Sequence, residues 1–179
     1  MAGTTTSRRR FLALGVLSTP VLMWPGLLHA TAAPRRLAFR HTHTGEALDV
    51  EYSEAGRYIP DALLTINHLL RDFRSGQVHP IDPALLDVLY ALRQQVGGRA
   101  PFEIISAFRS PETNAMLAGN SSGVATKSLH LSGRAIDIRL PGVATAKLRD
   151  AGMRLRAGGV GYYPESDFVH VDTGRVRYW

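Results

Sequence analysis

A chain of 179 residues has room for one domain with a real core and hardly for two, and its 45% hydrophobic and 20% charged residues exclude disorder along its whole length. It contains no cysteine, which excludes disulfides, thiolate metal sites, a cysteine nucleophile and a lipoprotein anchor, so any metal must be held by His, Asp or Glu. The formal net charge is +6, but Arg8, Arg9 and Arg10 fall in a removable segment, and the remaining 18 basic against 15 acidic residues are too nearly balanced to argue for nucleic-acid binding.

The amino-terminal segment reads as an address. Ser7-Arg8-Arg9-Arg10-Phe11-Leu12 precedes an apolar run from Leu12 to Ala30, followed by the small residues Ala30-Thr31-Ala32-Ala33. That is a positive region, an apolar region and an A-x-A-like cleavage site. Pro20, Pro25 and Gly26 interrupt the run and make it a poor membrane span. The paired arginines resemble a twin-arginine export signal. Residues 1–32 are therefore expected to be a signal peptide read by the twin-arginine export machinery, with residues 33–179 a single domain delivered to the periplasm or elsewhere in the cell envelope. No later segment is long and apolar enough to cross a membrane. His29 leaves with the signal.

In the mature chain, Arg36 to Tyr52 alternates loosely and reads as two short strands around a turn at Thr44-Gly45. Leu63, Leu64, Ile66, Leu69, Leu70 and Phe73 give helical spacing from Ala62 to about Phe73, with Asp61 as cap and Gly76 as stop. Asp82-Pro83 is an N-cap with proline at the first helical position, and that helix runs through Leu85, Leu86, Leu89 and Leu92 to Gly97-Gly98. Phe102 to Ala107 reads as a buried strand, and Ser110-Pro111-Glu112 opens a third helix ending near Gly119. Gly119 to Lys127 is a polar loop. Arg134 to Leu140 is an alternating strand, Thr145 to Ala157 a helix, Val160 to Tyr163 and Phe168 to Asp172 strands. Helices early and short strands late predict an α+β fold with a small antiparallel sheet flanked by helices.

Alternation also points out candidate chemistry. In Arg134 to Leu140, Ile136, Ile138 and Leu140 share the core face, so Asp137 points away from it. A turn at Ser132-Gly133 folds His130 back beside Asp137. In Phe168 to Asp172, Val169 and Val171 take one face and His170 the other. His130, Asp137 and His170 together make a two-histidine, one-carboxylate set of the kind that holds catalytic zinc, which acidifies bound water and polarises a carbonyl. From spacing alone the signal is weak, and a plain surface pair is the more usual reading.

Ser128-Leu129-His130-Leu131-Ser132-Gly133-Arg134-Ala135-Ile136-Asp137 resembles the S-x-H-x-x-G-x-A-x-D motif of the zinc D-Ala-D-Ala peptidases, in their branch of twin-arginine-exported, murein endopeptidase K-like wall proteins. Phe168 to Gly174 is similar to that branch's closing segment, and Ser106-Ala107-Phe108-Arg109-Ser110 to the family's S-G-Y-R-S stretch. The likeness spans essentially the mature chain. It implies one zinc ion held by His130, Asp137 and His170, a D-Ala-D-Ala-peptidase and hedgehog-type fold with the zinc in a cleft on the open face of the sheet, and peptidoglycan stem peptides as substrate. It implies that Arg109 contacts substrate or the tetrahedral intermediate and that Ser128 supports the site by hydrogen bonding. Many members carry Glu-x-x-His, whose Glu is the general base. Here that position is Asp167, one methylene shorter. Asp172 is the alternative, either as base or as a group orienting a ligand, and Glu165 ranks third.

The remaining candidates have plainer readings. His41 and His43 read as a solvent-facing pair, His68 as a partly buried core histidine and His79 as an exposed loop residue. Gly158 to Tyr163 reads as a tight turn into a strand lining the cleft, with Tyr162 and Tyr163 open to substrate binding or core packing. The expected function is zinc-dependent cleavage of peptidoglycan cross-links. A D,D- or L,D-carboxypeptidase, and a non-catalytic zinc-containing wall-binding module, are the alternatives. A nucleic-acid partner is suggested by charge alone, and export argues against it.

Overall fold

The structure is a computed structural model that describes residues 1–3, 33–120 and 125–179. The chain divides into two units, Met1–Ala30 and Thr31–Trp179, and the second carries every element described here. Beyond its first three residues the expected signal peptide lies outside the described residues, as does the middle of the expected loop from Gly119 to Lys127.

Strand β1 (Arg35–His41) and strand β2 (Ala47–Glu54) form an antiparallel hairpin whose turn includes Gly45 at φ +75°, a backbone angle that glycine adopts without steric cost. A two-residue strand, β3 (Arg57–Tyr58), adds to β2. Helices α1 (Pro60–Leu69) and α2 (Pro83–Val96) follow, then β4 (Phe102–Ser106) and α3 (Pro111–Asn120). A single 3-10 turn (Leu129–Ser132) leads into β5 (Ala135–Arg139). Helix α4 (Thr145–Leu155), β6 (Gly159–Tyr163), β7 (Phe168–Asp172) and the short β8 (Arg177–Tyr178) complete the chain.

The fold is mixed α/β, as helices and strands were expected to be, but the sheet is larger than predicted and not wholly antiparallel. Its eight strands run in the order β3-β2-β1-β4-β5-β7-β6-β8, with β1–β4 and β6–β8 parallel and the other pairs antiparallel. Strands β1 and β4 can run parallel because α1 and α2 lie between them and return the chain to the same end. The β6–β8 pairing needs the chain to pass closely around the start of β6. A Cβ on Gly158 would stand 1.7 Å from the Asp172 carbonyl oxygen, and one on Gly159 would stand 2.5 Å from both Arg177 Nη1 and Asp172 Oδ2. The glycine pair read from sequence as a tight turn is what makes that passage sterically possible.

Leu85, Leu86, Leu89 and Leu92 of α2 are completely buried, in one core with Leu37 and Phe39 of β1, Phe102 and Ile104 of β4, Ile136 and Ile138 of β5, Val169 and Val171 of β7 and Leu148 of α4. The helical and alternating patterns thus bury the faces they marked. Asp82 caps α2 as expected, its carboxylate accepting the Ala84 N–H at 3.0 Å. Helix α1 differs: Ile59 is its N-cap without a side-chain bond, so Asp61 is no cap, and the helix stops at Leu69. Asp72 ends it by accepting the Arg74 N–H at 3.0 Å and the Ser75 hydroxyl at 2.9 Å, bonds that a continuing helix would not allow. Helix α4 stops two residues early, at Leu155, where Arg156 turns left-handed.

Three histidine expectations are corrected. His41 is buried at 1% exposure rather than solvent-facing. It continues the inward face of Leu37 and Phe39, and its Nδ1 accepts the N–H of His43 at 3.2 Å and of Thr44 at 3.4 Å, fastening the hairpin turn. His43 is exposed, as expected, and stacks on Phe73 at 4.2 Å. His68 is exposed, because α1 buries Ala62, Ile66 and Leu69, and a residue two beyond Ile66 falls on the opposite side of a 3.6-residue helix. His79 is half-buried and stacked on Phe108 at 4.7 Å.

Candidate active site

The 3-10 turn that carries His130 is shaped at both ends. The Ser128 hydroxyl accepts the His130 N–H at 3.3 Å, and Gly133 closes the turn at φ +64°. A Cβ on Gly133 would lie 2.2 Å from the Pro80 carbonyl oxygen, so only glycine fits there. The turn delivers the chain into β5 with His130 folded back toward Asp137. Strand register does the rest: Asp137 of β5 stands directly opposite His170 of β7.

Donor and acceptor roles fix what this cluster can hold. His130 Nδ1 lies 2.5 Å from the Ala107 carbonyl oxygen, which can only accept, so Nδ1 carries the proton and Nε2 presents a lone pair. That lone pair faces His170 Nδ1 at 3.2 Å and Asp137 Oδ1 at 3.3 Å. His170 Nε2 donates to Asp172 Oδ2 at 3.1 Å, and its Nδ1 lies 2.8 Å from Asp137 Oδ1. Two ring nitrogens and a carboxylate oxygen thus converge, all three residues being buried. Among the described residues they are the group of His, Asp and Glu side chains whose ligand atoms all lie within 4.8 Å of one another. Convergent acceptors in a dry setting require a cation between them, a proton or a metal ion. The donor set fits zinc.

Electrostatics agree with that reading. Burial pushes the Asp137 carboxyl up, but the charge and hydrogen bonds of His130 and His170 outweigh it and hold the group well below the usual carboxylate range. Burial lowers the His130 imidazole and outweighs the raising effect of Asp137. His170 is raised: burial lowers it, but hydrogen bonds to Asp137 and Asp172 and their charges win. Asp172 lies at 1% exposure. Burial raises its carboxyl, and His170, Arg177 and the N–H groups of Gly159 and Gly174 bring it far below its ordinary value.

The cluster opens into a cavity of about 460 Å³, lined among others by Arg109, Lys127, Ser128, Tyr163, Phe168 and Trp179. Arg109 donates from Nη2 to Asp137 Oδ2 at 2.6 Å and from Nε to Ser106 Oγ at 2.9 Å, so its guanidinium stands at the edge of the cluster. A buried His–Asp–His cluster flooring an open cleft, with an arginine beside the carboxylate, defines a candidate mononuclear metal centre.

The sequence profile of the family described as "Peptidoglycan L,D-endopeptidase MepK" matches residues 29–179. The peptidoglycan L,D-endopeptidase MepK of Escherichia coli is 43% identical over 176 residues, covering 97% of each chain. The probable peptidoglycan L,D-endopeptidase MepK of Haemophilus influenzae is 43% identical over 177 residues, covering 97% of this chain and 95% of that one. The chain belongs to the MepK family of peptidoglycan L,D-endopeptidases.

Of the residues singled out from sequence, the fold brings together His130, Asp137, His170, Arg109, Ser128 and Asp172. Asp167 stands apart: its carboxylate is 62% exposed, 3.7 Å from Arg139 Nη1, on a residue at φ +49°. It does not line the cavity, although its neighbours Ser166 and Phe168 do. Glu165 is exposed in the same turn. Lys127, Arg177 and Trp179 line the cavity without having been singled out. A two-residue strand such as β8 is too short to show periodicity, so nothing local marked Arg177 or Trp179 as cleft residues.

Proposed function

We propose that this protein is a peptidoglycan endopeptidase that hydrolyses L,D-type cross-links between stem peptides, with one zinc ion held by His130, Asp137 and His170 in a D-Ala-D-Ala-peptidase-type fold. The observation that carries the reading is the convergence of three acceptor atoms at the floor of an open cleft, in a chain 43% identical to enzymes of that name. Zinc bound there supplies a Lewis acid for the scissile carbonyl and a source of nucleophilic water at neutral pH.

The chain's own residues do the remaining work. Arg109 holds a positive charge beside Asp137, where it stabilises the oxyanion that develops on the carbonyl. Ser128 caps the turn that aims His130. Asp172 orients His170. Its two oxygens already take five donors, from Gly159, Gly174, His170 and twice from Arg177, which leaves it unsuited to accept a proton and well suited to fix a ring. With Asp172 committed, Asp167 is the remaining candidate for the general base; its exposed carboxylate lies outside the cavity beside Arg139, and it serves as base by swinging over the turn whose Ser166 and Phe168 border the cleft. Residues 1–32 act as the twin-arginine signal that takes the protein to the periplasm. The division of the chain at Ala30 and the start of the family match at residue 29 support that boundary.

The test is digestion of purified cross-linked muropeptide dimers by residues 33–179, with and without a chelator, read by mass spectrometry. Chelator-sensitive conversion of 3-3 linked dimers to monomers is expected. Intact dimers in the presence of stoichiometric bound zinc would replace this reading with a wall-binding module, and release of single terminal residues would replace it with a carboxypeptidase.

A further inference from the structure

Trp179 is held in the cleft by several independent contacts. Its backbone N–H donates to the Val160 carbonyl at 3.2 Å and its carbonyl accepts the Tyr162 N–H at 3.0 Å, which fixes it alongside β6. The indole lies over Gly161, where a Cβ would come within 2.6 Å of the ring, so the absent side chain makes the space for it. The Arg177 guanidinium covers the ring at 4.9 Å, and the His170 imidazole lies 5.3 Å away. From this position the indole Nε1–H donates to Tyr163 Oη at 2.8 Å. The Tyr163 ring is held in turn by stacking on Phe168 at 4.5 Å. Tyr163 and Trp179 both line the cavity.

The direction of that hydrogen bond is unambiguous, because an indole nitrogen can only donate. The phenol oxygen is therefore the acceptor, and its own proton is not used in the bond. Among the described residues no acceptor takes that proton, and the hydroxyl sits on a cleft wall one ring away from His170. We propose that Tyr163 contacts the substrate, donating a hydrogen bond to a peptide oxygen of the bound cross-link, and that Trp179 is its positioning residue. This rests on the endopeptidase reading for the identity of the peptide. The geometry of the pair stands without it.

The test compares the parent protein (residues 33–179) with Tyr163→Phe, Trp179→Phe and the double variant on 3-3 linked dimers, measuring kcat and KM separately, with zinc content and circular dichroism alongside. Tyr163→Phe keeps the ring and its stacking, and loss of one hydrogen bond to substrate is expected to lower kcat/KM about tenfold. Trp179→Phe is expected to lower it several-fold in the parent and to add nothing in the Tyr163→Phe background, since the indole N–H acts through the phenol oxygen. A purely structural role for Trp179 gives multiplying losses instead, and that outcome overturns the positioning assignment. Tyr163→Phe within twofold of an active parent overturns the contact while leaving the endopeptidase reading intact. If the parent does not cut the dimers, that reading fails by itself. Calorimetric binding of the same dimers by the same four proteins then decides the contact, with about tenfold weaker binding by Tyr163→Phe supporting it and unchanged or absent binding overturning it. Repeating the comparison on dimers whose free side-chain carboxylates are amidated identifies the oxygen: the Tyr163→Phe effect shrinks for a carboxylate, because the amide oxygen is a weaker acceptor, and is unchanged for a backbone carbonyl.

Discussion

Asp167 and Asp172 flank the same histidine in sequence, yet the structure gives their carboxylates opposite environments. Asp172 is buried and fully bonded, whereas Asp167 is exposed and nearly free. Asp172→Asn keeps the shape but removes the charge that holds the His170 Nε2–H, so metal affinity is expected to fall about 10- to 100-fold, measured by competition with a chromophoric chelator. Unchanged affinity would remove Asp172 from the orienting role. Asp167→Asn is expected to leave metal content and KM alone and to lower kcat about 100-fold or more. Turnover within a few-fold of the parent would show that the proton goes elsewhere, with Glu165 the next residue to substitute. Alternation in the sequence placed Asp172 on the side of β7 that carries His170. Whether that side was wet or dry depended on Arg177, Gly159 and Gly174, which arrive from other strands and loops.

At the scale of elements, Asp72 ties the end of α1 to the start of α3. Besides its bonds to Arg74 and Ser75, it accepts the Ser110 N–H at 3.0 Å. Burial raises its carboxyl, but bonds from Thr113, Ser110 and Arg74 prevail and hold it far below its ordinary value. A group with a depressed folded-state pKa stabilises the fold above its unfolded pKa, near ~3.9, and loses that contribution as pH falls through the folded value. Asp72→Ala is therefore expected to lower the unfolding free energy by about 2 kcal/mol at neutral pH, with the deficit shrinking below about pH 4. Urea unfolding of both proteins at pH 7 and pH 3 checks this, and a deficit that stayed constant would refute it. Segment 62–73 has helical spacing throughout, which is why the sequence suggests a longer helix. The stop itself is local, in the bonds of Asp72 to Arg74 and Ser75, and the apolar spacing masks it; only the tie to Ser110, 38 residues away, lies beyond any local pattern.

For the whole molecule, the metal reading makes a prediction about protons. His130 is lowered, Asp137 is held well below the usual carboxylate range, and His170 is raised between two carboxylates. In the metal-free protein a proton on His170 therefore stands where the metal must bind. Uptake is expected to release about one proton, and affinity to fall about tenfold for each pH unit below the raised His170 value. Zinc titrations in buffers of different ionisation enthalpy measure the proton directly, and uptake without proton release would contradict the arrangement. The core of α2, α4 and the sheet is built from apolar packing away from the cluster. Metal removal is accordingly expected to lower the unfolding temperature without abolishing cooperative unfolding.

The sequence alone determined the parts that depend on neighbours along the chain. Helix periodicity and alternation marked the buried faces of α2, β5 and β7, Asp82-Pro83 marked the start of α2, and the turn at Ser132-Gly133 returned His130 toward Asp137. These are short-range consequences of backbone geometry and of the need to bury apolar side chains. Only the tertiary structure decided what depends on distant segments meeting. The parallel pairing of β1 with β4 and of β6 with β8 gave the sheet its eight strands. The burial of His41 and exposure of His68 followed from which faces the packing covered. The Trp179–Tyr163 wall and the saturation of Asp172 arise because β8 crosses back to β6. Hydrogen-bond saturation and solvent exclusion are properties of the assembled surroundings, so they separated Asp172 from Asp167 where spacing along the chain could not.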